Sequence, residues 1–267
     1  MTGSEKLQGT FFEGRVALVP YLTAGYPSLE GAYEIGEAYV KAGADVVEIG
    51  IPFSDSLADG PLIQNTNTIA LKNGANLGYC LQLASHFADR VPVIFLTSYN
   101  IVFARGAERF LNEVVGAGVA GLVIPDLPID EAEDFREAAA KRGVAICPLA
   151  APTTTDDRLD RIAKAASGFL YCVSVAGVTG VRKKLPPGAT ELLRRARARV
   201  SVPVVLGFGI SSAETAVEAA EEADGITIGS KLMQLVAEEG PEGAGVWLRE
   251  VRSALDRESS AKVGSKN

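Results

Sequence analysis

Short apolar runs and longer amphipathic stretches alternate along the whole chain. Eight runs are rich in β-branched or aromatic residues and bounded by turn formers: ALVPYLT (17–23), DVVEIGI (45–51), PVIFLTS (92–98), GLVIPD (121–126), VAICPLA (144–150), GFLYCVS (168–174), VPVVLGF (202–208) and GITIGS (225–230). Between them, patterns such as LEGAYEIGEAYVKAG and DEAEDFREAAAKRG repeat apolar residues at helical spacing. Gly43, Gly118 and Gly143 stand where three of these helices should stop, because the left-handed conformation carries no Cβ penalty in glycine. Several strand runs are apolar throughout, which suits parallel strands covered by helices. Eight β/α units in 267 residues predict one α/β domain, a single eight-stranded parallel β/α barrel with extra helices, over residues 1–256. AGVWLREVRSAL (244–255) reads as a late helix packed on the barrel, and the polar stretch RESSAKVGSKN (257–267) as a disordered tail. A doubly wound open sheet is the alternative, but no GxGxxG follows the first strand.

Composition narrows the partners. Acids outnumber bases, 33 to 26, which argues against nucleic acid while leaving room for a small anion held by a local field. The three cysteines, Cys80, Cys147 and Cys172, are odd in number and lack metal-ligand spacing, so they read as reduced core thiols of a cytoplasmic protein. The one histidine, His86, lies on a helix surface, which leaves little room for a Ser–His triad or a multi-His metal site. No apolar run has the length of a membrane helix, and MTGSEKLQGT lacks the form of a signal peptide.

The acids of EIGIPFSDSLADGP (48–61) are the first chemical signal. Side chains alternate across a strand, so Val47, Ile49 and Ile51 share the helix-facing side. Glu48 then points into the barrel near its C-terminal mouth, where a poorly hydrated carboxylate holds its proton more tightly. That is the profile of a general acid/base. A structural carboxylate held by hydroxyls is the competing reading. Asp59 stands equally as the N-cap of the next helix, with Pro61 in its first turn, or as a second catalytic acid. Asp55 reads as a turn residue.

At the other side of the predicted mouth, Gly-rich turns follow the last three strands: AGVTG (176–180), GFGIS (207–211) and IGSKL (228–232). Such turns, two of them running into helices, offer backbone N–H groups to a phosphate. Two carboxylates facing an anion cradle imply proton-transfer chemistry on a phosphorylated small molecule.

The segments PYLTAGYPS, EIGIPFSDSLADGPLIQ, GLVIPDLP, APTTTDDRL, YCVSVAGVTG, LGFGISS and DGITIGS, in this order, resemble the tryptophan synthase alpha subunit family. The resemblance implies a lyase of tryptophan biosynthesis that cleaves indole-3-glycerol phosphate to indole and glyceraldehyde 3-phosphate. It implies catalytic roles for Glu48 and Asp59, an indole pocket of Tyr21, Ile63, Leu96 and Tyr171, and phosphate contacts at Gly180, Phe208, Gly209, Gly229 and Ser230. Thr179 falls in the loop that the family closes over substrate; the charges of VRKK (181–184), which continues that loop, read as solvated. No metal or organic cofactor is implied. Pyridoxal phosphate would belong to a beta subunit, the partner in a heterotetramer of two alpha and two beta chains. Two departures stand out: Ser56 replaces the proline usual in SDPLADGP, and Ser98 replaces a tyrosine common in TYYN. They motivate two alternatives, a stand-alone lyase and a weak barrel that mainly activates a beta subunit; Glu48 and Asp59 weigh against the second. An isomerase on a similar barrel lacks these loop motifs.

Overall fold

The computed structural model describes residues 1–12, 14–174, 185, 187–207 and 209–264, without the side chains of 187 and 259–264. Nine parallel strands appear among them: β1 Ala17–Thr23, β2 Val47–Gly50, β3 Val93–Leu96, β4 Gly121–Val123, β5 Ala145–Ile146, β6 Leu149–Ala150, β7 Leu170–Val173, β8 Val204–Gly207 and β9 Gly225–Ile228. The sheet order is β5-β4-β3-β2-β1-β9-β8-β7-β6. Its two outer strands are consecutive in the chain and separated only by Cys147 and Pro148. They are halves of the expected fifth strand, so the sheet closes on itself as a barrel. Proline has no N–H to give a ladder, and the pairing changes sides there. Cys147 N–H bonds Leu122 O at 2.9 Å on one flank, and Pro148 O accepts from Tyr171 N–H at 3.0 Å on the other.

The helices end as glycine chemistry predicts. Gly43, Gly118 and Gly143 have φ of 91°, 73° and 69°. In each case the next residue's N–H reaches back five residues, as in Ala44 N to Tyr39 O at 3.1 Å, which occupies a carbonyl the helix end would leave open.

The interior of the barrel is a cluster of its own, built from Val19, Val46, Ile94, Val123, Phe169 and Val205 with their neighbours. A helix that the hydrophobic pattern did not reveal, Gly3–Gln8, closes the floor. Its Leu7 is fully buried among these residues, and Phe11 stacks on Phe169 with ring centroids 5.8 Å apart. Bulky inward side chains make this a packed core and not a pore.

Beneath the barrel, Asp45 accepts from Leu18 N–H at 2.9 Å, from Arg252 at 3.1 Å and from Arg15 at 2.8 Å. Arg252, 5% exposed, also holds Val16 O at 2.9 Å and so ties the last helix to the start of β1. Arg252→Leu should cost about 3 kcal/mol, the low end for breaking a buried ion pair because Arg15 remains. Urea unfolding measures this, and a loss below about 1 kcal/mol would show that the pair carries little.

The final helix, Ser230–Gly264, bends at Gly240, where φ is 75°. It continues to Gly264, into the segment read from the sequence as a tail.

Candidate active site

β1 and β2 place the first two site residues side by side, with Tyr21 and Glu48 in register. Both are buried, at 4% and 1% exposure. Gly50 makes room for the Tyr21 ring, since a Cβ there would lie 2.7 Å from Tyr21 Cζ. Gly207 does the same for Tyr171, whose Cζ would lie 2.6 Å from an added Cβ. The absence of a side chain on one strand thus lets an aromatic side chain from its neighbour lean across the mouth.

Burial first, and the negative charge of Asp59 second, push the Glu48 carboxyl up to about 8 against the opposing effect of the Tyr171 hydroxyl. Glu48 Oε1 is buried without a hydrogen-bond partner. A carboxyl in that state keeps its proton at neutral pH, as a general acid must. The structural alternative, a carboxylate satisfied by surrounding hydroxyls, does not account for that free oxygen.

Asp59 is not the helix cap. Gly60 is the N-cap of the helix Pro61–Lys72, with no side-chain cap bond, and Pro61 opens the helix as expected. The Asp59 carboxylate instead accepts from Asn67 Nδ2 at 3.2 Å. Burial raises its pKa, while Ser56 and Asn67 pull it back toward the ionised form. Burial raises both acids; against it Glu48 has the Tyr171 hydroxyl and one oxygen without a partner, and Asp59 has Ser56 and Asn67. Asp55 lies in a turn and accepts from Ser54 Oγ at 2.6 Å.

Tyr21 is held by a buried hydroxyl relay. Its hydroxyl lies 3.1 Å from Thr23 Oγ1, which lies 2.7 Å from Thr66 Oγ1, which donates to Ile63 O at 2.8 Å. Each hydroxyl has one proton, so only one ordering uses all three contacts: every proton points away from Tyr21 toward the helix. The Tyr21 oxygen is left facing the site as an acceptor. Ile63 is 6% exposed and Leu96 half-buried. Sequence reading missed Thr23, Thr66 and Asn67; all three are buried polar residues, and apolar periodicity gives no signal for such positions.

On the opposite side, Gly209 has φ of 86° and lies beside Ser174. Gly229 O accepts from Met233 N–H at 3.0 Å, so Gly229 and Ser230 form the start of the last helix, whose first N–H groups have no partner within it. Thr179, Gly180 and Phe208 lie outside the described residues, as does VRKK. Beside the site, an apolar cavity of about 180 Å³ runs between β4 and β7 with Ile124, Leu149, Val173 and Arg158 in its wall; neither acid reaches it.

Ser98 is occupied elsewhere. It caps the helix Tyr99–Arg105 and donates to Asp126 at 2.5 Å. His86 lies on the surface and pairs with Glu37 at 2.8 Å, and the three cysteines are free and buried. Among the described residues, no three His, Cys, Asp or Glu side chains converge as metal ligands would, and no helix is long and apolar enough to cross a membrane.

Known proteins match this arrangement over nearly the whole chain. The family model for the tryptophan synthase alpha chain matches residues 8–260. A tryptophan synthase alpha chain of Synechococcus elongatus is 42% identical over 249 residues, 92% of this chain and 94% of its own. One from Roseiflexus is 44% identical over 233 residues, covering 86% and 89%. Among solved structures, the tryptophan synthase alpha subunit of Legionella pneumophila superposes with a TM-score of 0.87 at 31% identity, covering 96% of this chain and 99% of its own. A tryptophan synthase structure from Mycobacterium tuberculosis superposes at 0.87 with 30% identity, covering 95% and 96%. Matched to the family model over residues 8–260 and 42% identical to a member over 92% of its length, the protein belongs to the tryptophan synthase alpha chain family.

Proposed function

We propose that the chain cleaves indole-3-glycerol phosphate by a retro-aldol reaction, with Glu48 and Asp59 as its catalytic residues. The observation that carries this reading is Glu48: a carboxyl 1% exposed at the barrel mouth, its pKa pushed up to about 8, beside a second acid. Glu48 gives its proton to indole C3, which leaves positive charge on the ring nitrogen. Asp59, whose pKa burial raises while Ser56 and Asn67 oppose the rise, accepts the ring N–H as its carboxylate and balances that charge. The Glu48 carboxylate then takes the proton of the side-chain hydroxyl next to the breaking bond. The C–C electrons pass into the ring, indole and an aldehyde separate, and Glu48 regains its starting proton. Tyr21, Ile63, Leu96 and Tyr171 would enclose the ring. No metal is needed to balance the step.

The phosphate would rest on N–H groups of Gly209, Gly229 and Ser230; the family resemblance adds Gly180, Phe208 and Thr179, which lie outside the described residues. Gly209→Val should weaken inorganic phosphate and substrate binding together, each about tenfold, because the left-handed backbone at φ 86° strains a β-branched residue and reshapes the turn. Titration of phosphate against the folded variant tests this; unchanged phosphate affinity would sink the assignment.

The partner would be a tryptophan synthase beta subunit in a two-alpha, two-beta assembly, with pyridoxal phosphate in that subunit. Two apolar side chains, Leu57 at 92% exposure and Phe103 at 75%, follow β2 and β3 on the mouth side, where a docked chain would cover them. Indole release by the purified chain, with and without a beta subunit, tests the reading. Slow release that jumps with partner supports it. Fast release indifferent to partner supports a stand-alone lyase, and no release overturns both.

A further inference from the structure

The loop between β2 and the helix Pro61–Lys72 packs at its start through Ile51 and Pro52, but its Leu57 is 92% exposed and polar links hold the stretch around it. Asn67, 3% exposed on that helix, sends its Nδ2 to two oxygens, Ser56 Oγ at 3.0 Å and Asp59 Oδ2 at 3.2 Å. Asp59 N–H bonds Ser56 O at 3.1 Å, which closes a small ring of three residues. Gln64 Nε2 grips the same loop at Asp59 O, 3.0 Å away. Ser56 Oγ accepts from Asn67; burial raises the Asp59 pKa, and the Ser56 hydroxyl and the Asn67 amide oppose that rise. A proline at this position would bring none of these side-chain bonds.

We propose that Ser56 is a positioning residue for Asp59: its hydroxyl holds the Asn67 amide, which fixes the carboxylate at the barrel mouth before a ligand arrives. The inference rests on the catalytic reading of Asp59. A donor amide that is free to rotate leaves the carboxylate free to turn with it, whereas Asn67 Nδ2, held by Ser56 Oγ at 3.0 Å, meets Asp59 Oδ2 from a fixed direction. Preorganisation of that kind lowers the barrier without changing what the ligand touches. Glu48 from β2, Tyr21 from β1 and Tyr171 from β7 are the titratable groups facing it.

The test compares the full chain with Ser56→Ala and Ser56→Thr on indole-3-glycerol phosphate. Ser56→Ala should lower kcat about tenfold with KM within about twofold. It should also move the acidic limb of the kcat profile to higher pH, because loss of a donor to the ionised carboxylate raises its pKa. Ser56→Thr should restore both. Unchanged kcat overturns the proposal, and so does an equal loss at every pH with an unmoved limb, which marks a merely structural role. Asp59→Asn keeps the two readings apart. If that variant is inactive while Ser56→Ala is normal, only the positioning role falls; if it turns over normally, the catalytic reading of Asp59 falls first.

Discussion

Glu48→Gln lowers turnover of indole-3-glycerol phosphate by at least about a hundredfold and leaves the fold intact. The amide has nearly the same volume, so the mouth keeps its packing, but it has no proton to give. The parent enzyme should also lose activity as pH rises through about 8, where Glu48 gives up its proton in the folded state. Stability follows the same group. Its folded pKa lies above the ordinary value of 4.5, so the folded state binds the extra proton. The stability this contributes is present in full below 4.5 and is lost as pH rises through about 8. The Gln variant has no such group, so its melting temperature should overtake the parent's on the alkaline side. Residual activity within about tenfold of the parent, in a variant with native circular dichroism, would end the general-acid assignment.

Asp59→Asn should lower kcat/KM by about 10²- to 10³-fold, the usual cost of losing one aligned charge partner for a transition state. It carries a second signature. The negative charge of Asp59 helps to raise Glu48, so removing it should move the alkaline limb of the pH profile to lower pH. A large rate loss with that limb unmoved would mean that Asp59 acts without sensing Glu48. A moved limb with a normal rate would make it an electrostatic neighbour only.

Much of this site is local, and so can be read along the chain. The inward direction of Glu48 follows from strand alternation around VVEIGI, and β1 occupies the run ALVPYLT from end to end. The stops at Gly43, Gly118 and Gly143 depend on backbone sterics within one turn. Each of these needs only residues a few positions apart. The family motifs then extended the reading to Asp59, which local pattern left divided between cap and catalyst.

The tertiary structure decided what depends on residues far apart. It made Gly60 the cap and released the Asp59 side chain to Asn67. It split the fifth strand at Pro148, because only the positions of β4 and β7 determine which ladder bonds proline interrupts. It turned an inconspicuous amino-terminal segment into the barrel floor, since Leu7 gains value only once the interior exists. It bound Ser98 to Asp126 and joined Thr23 to Thr66 across 43 positions of the chain. The sequence alone determined the strands, the helix stops and the inward-facing acid, through short-range periodicity. Which polar groups meet at the mouth was decided by closure of the barrel, because hydrogen bonds form between neighbours in space whatever their distance along the chain.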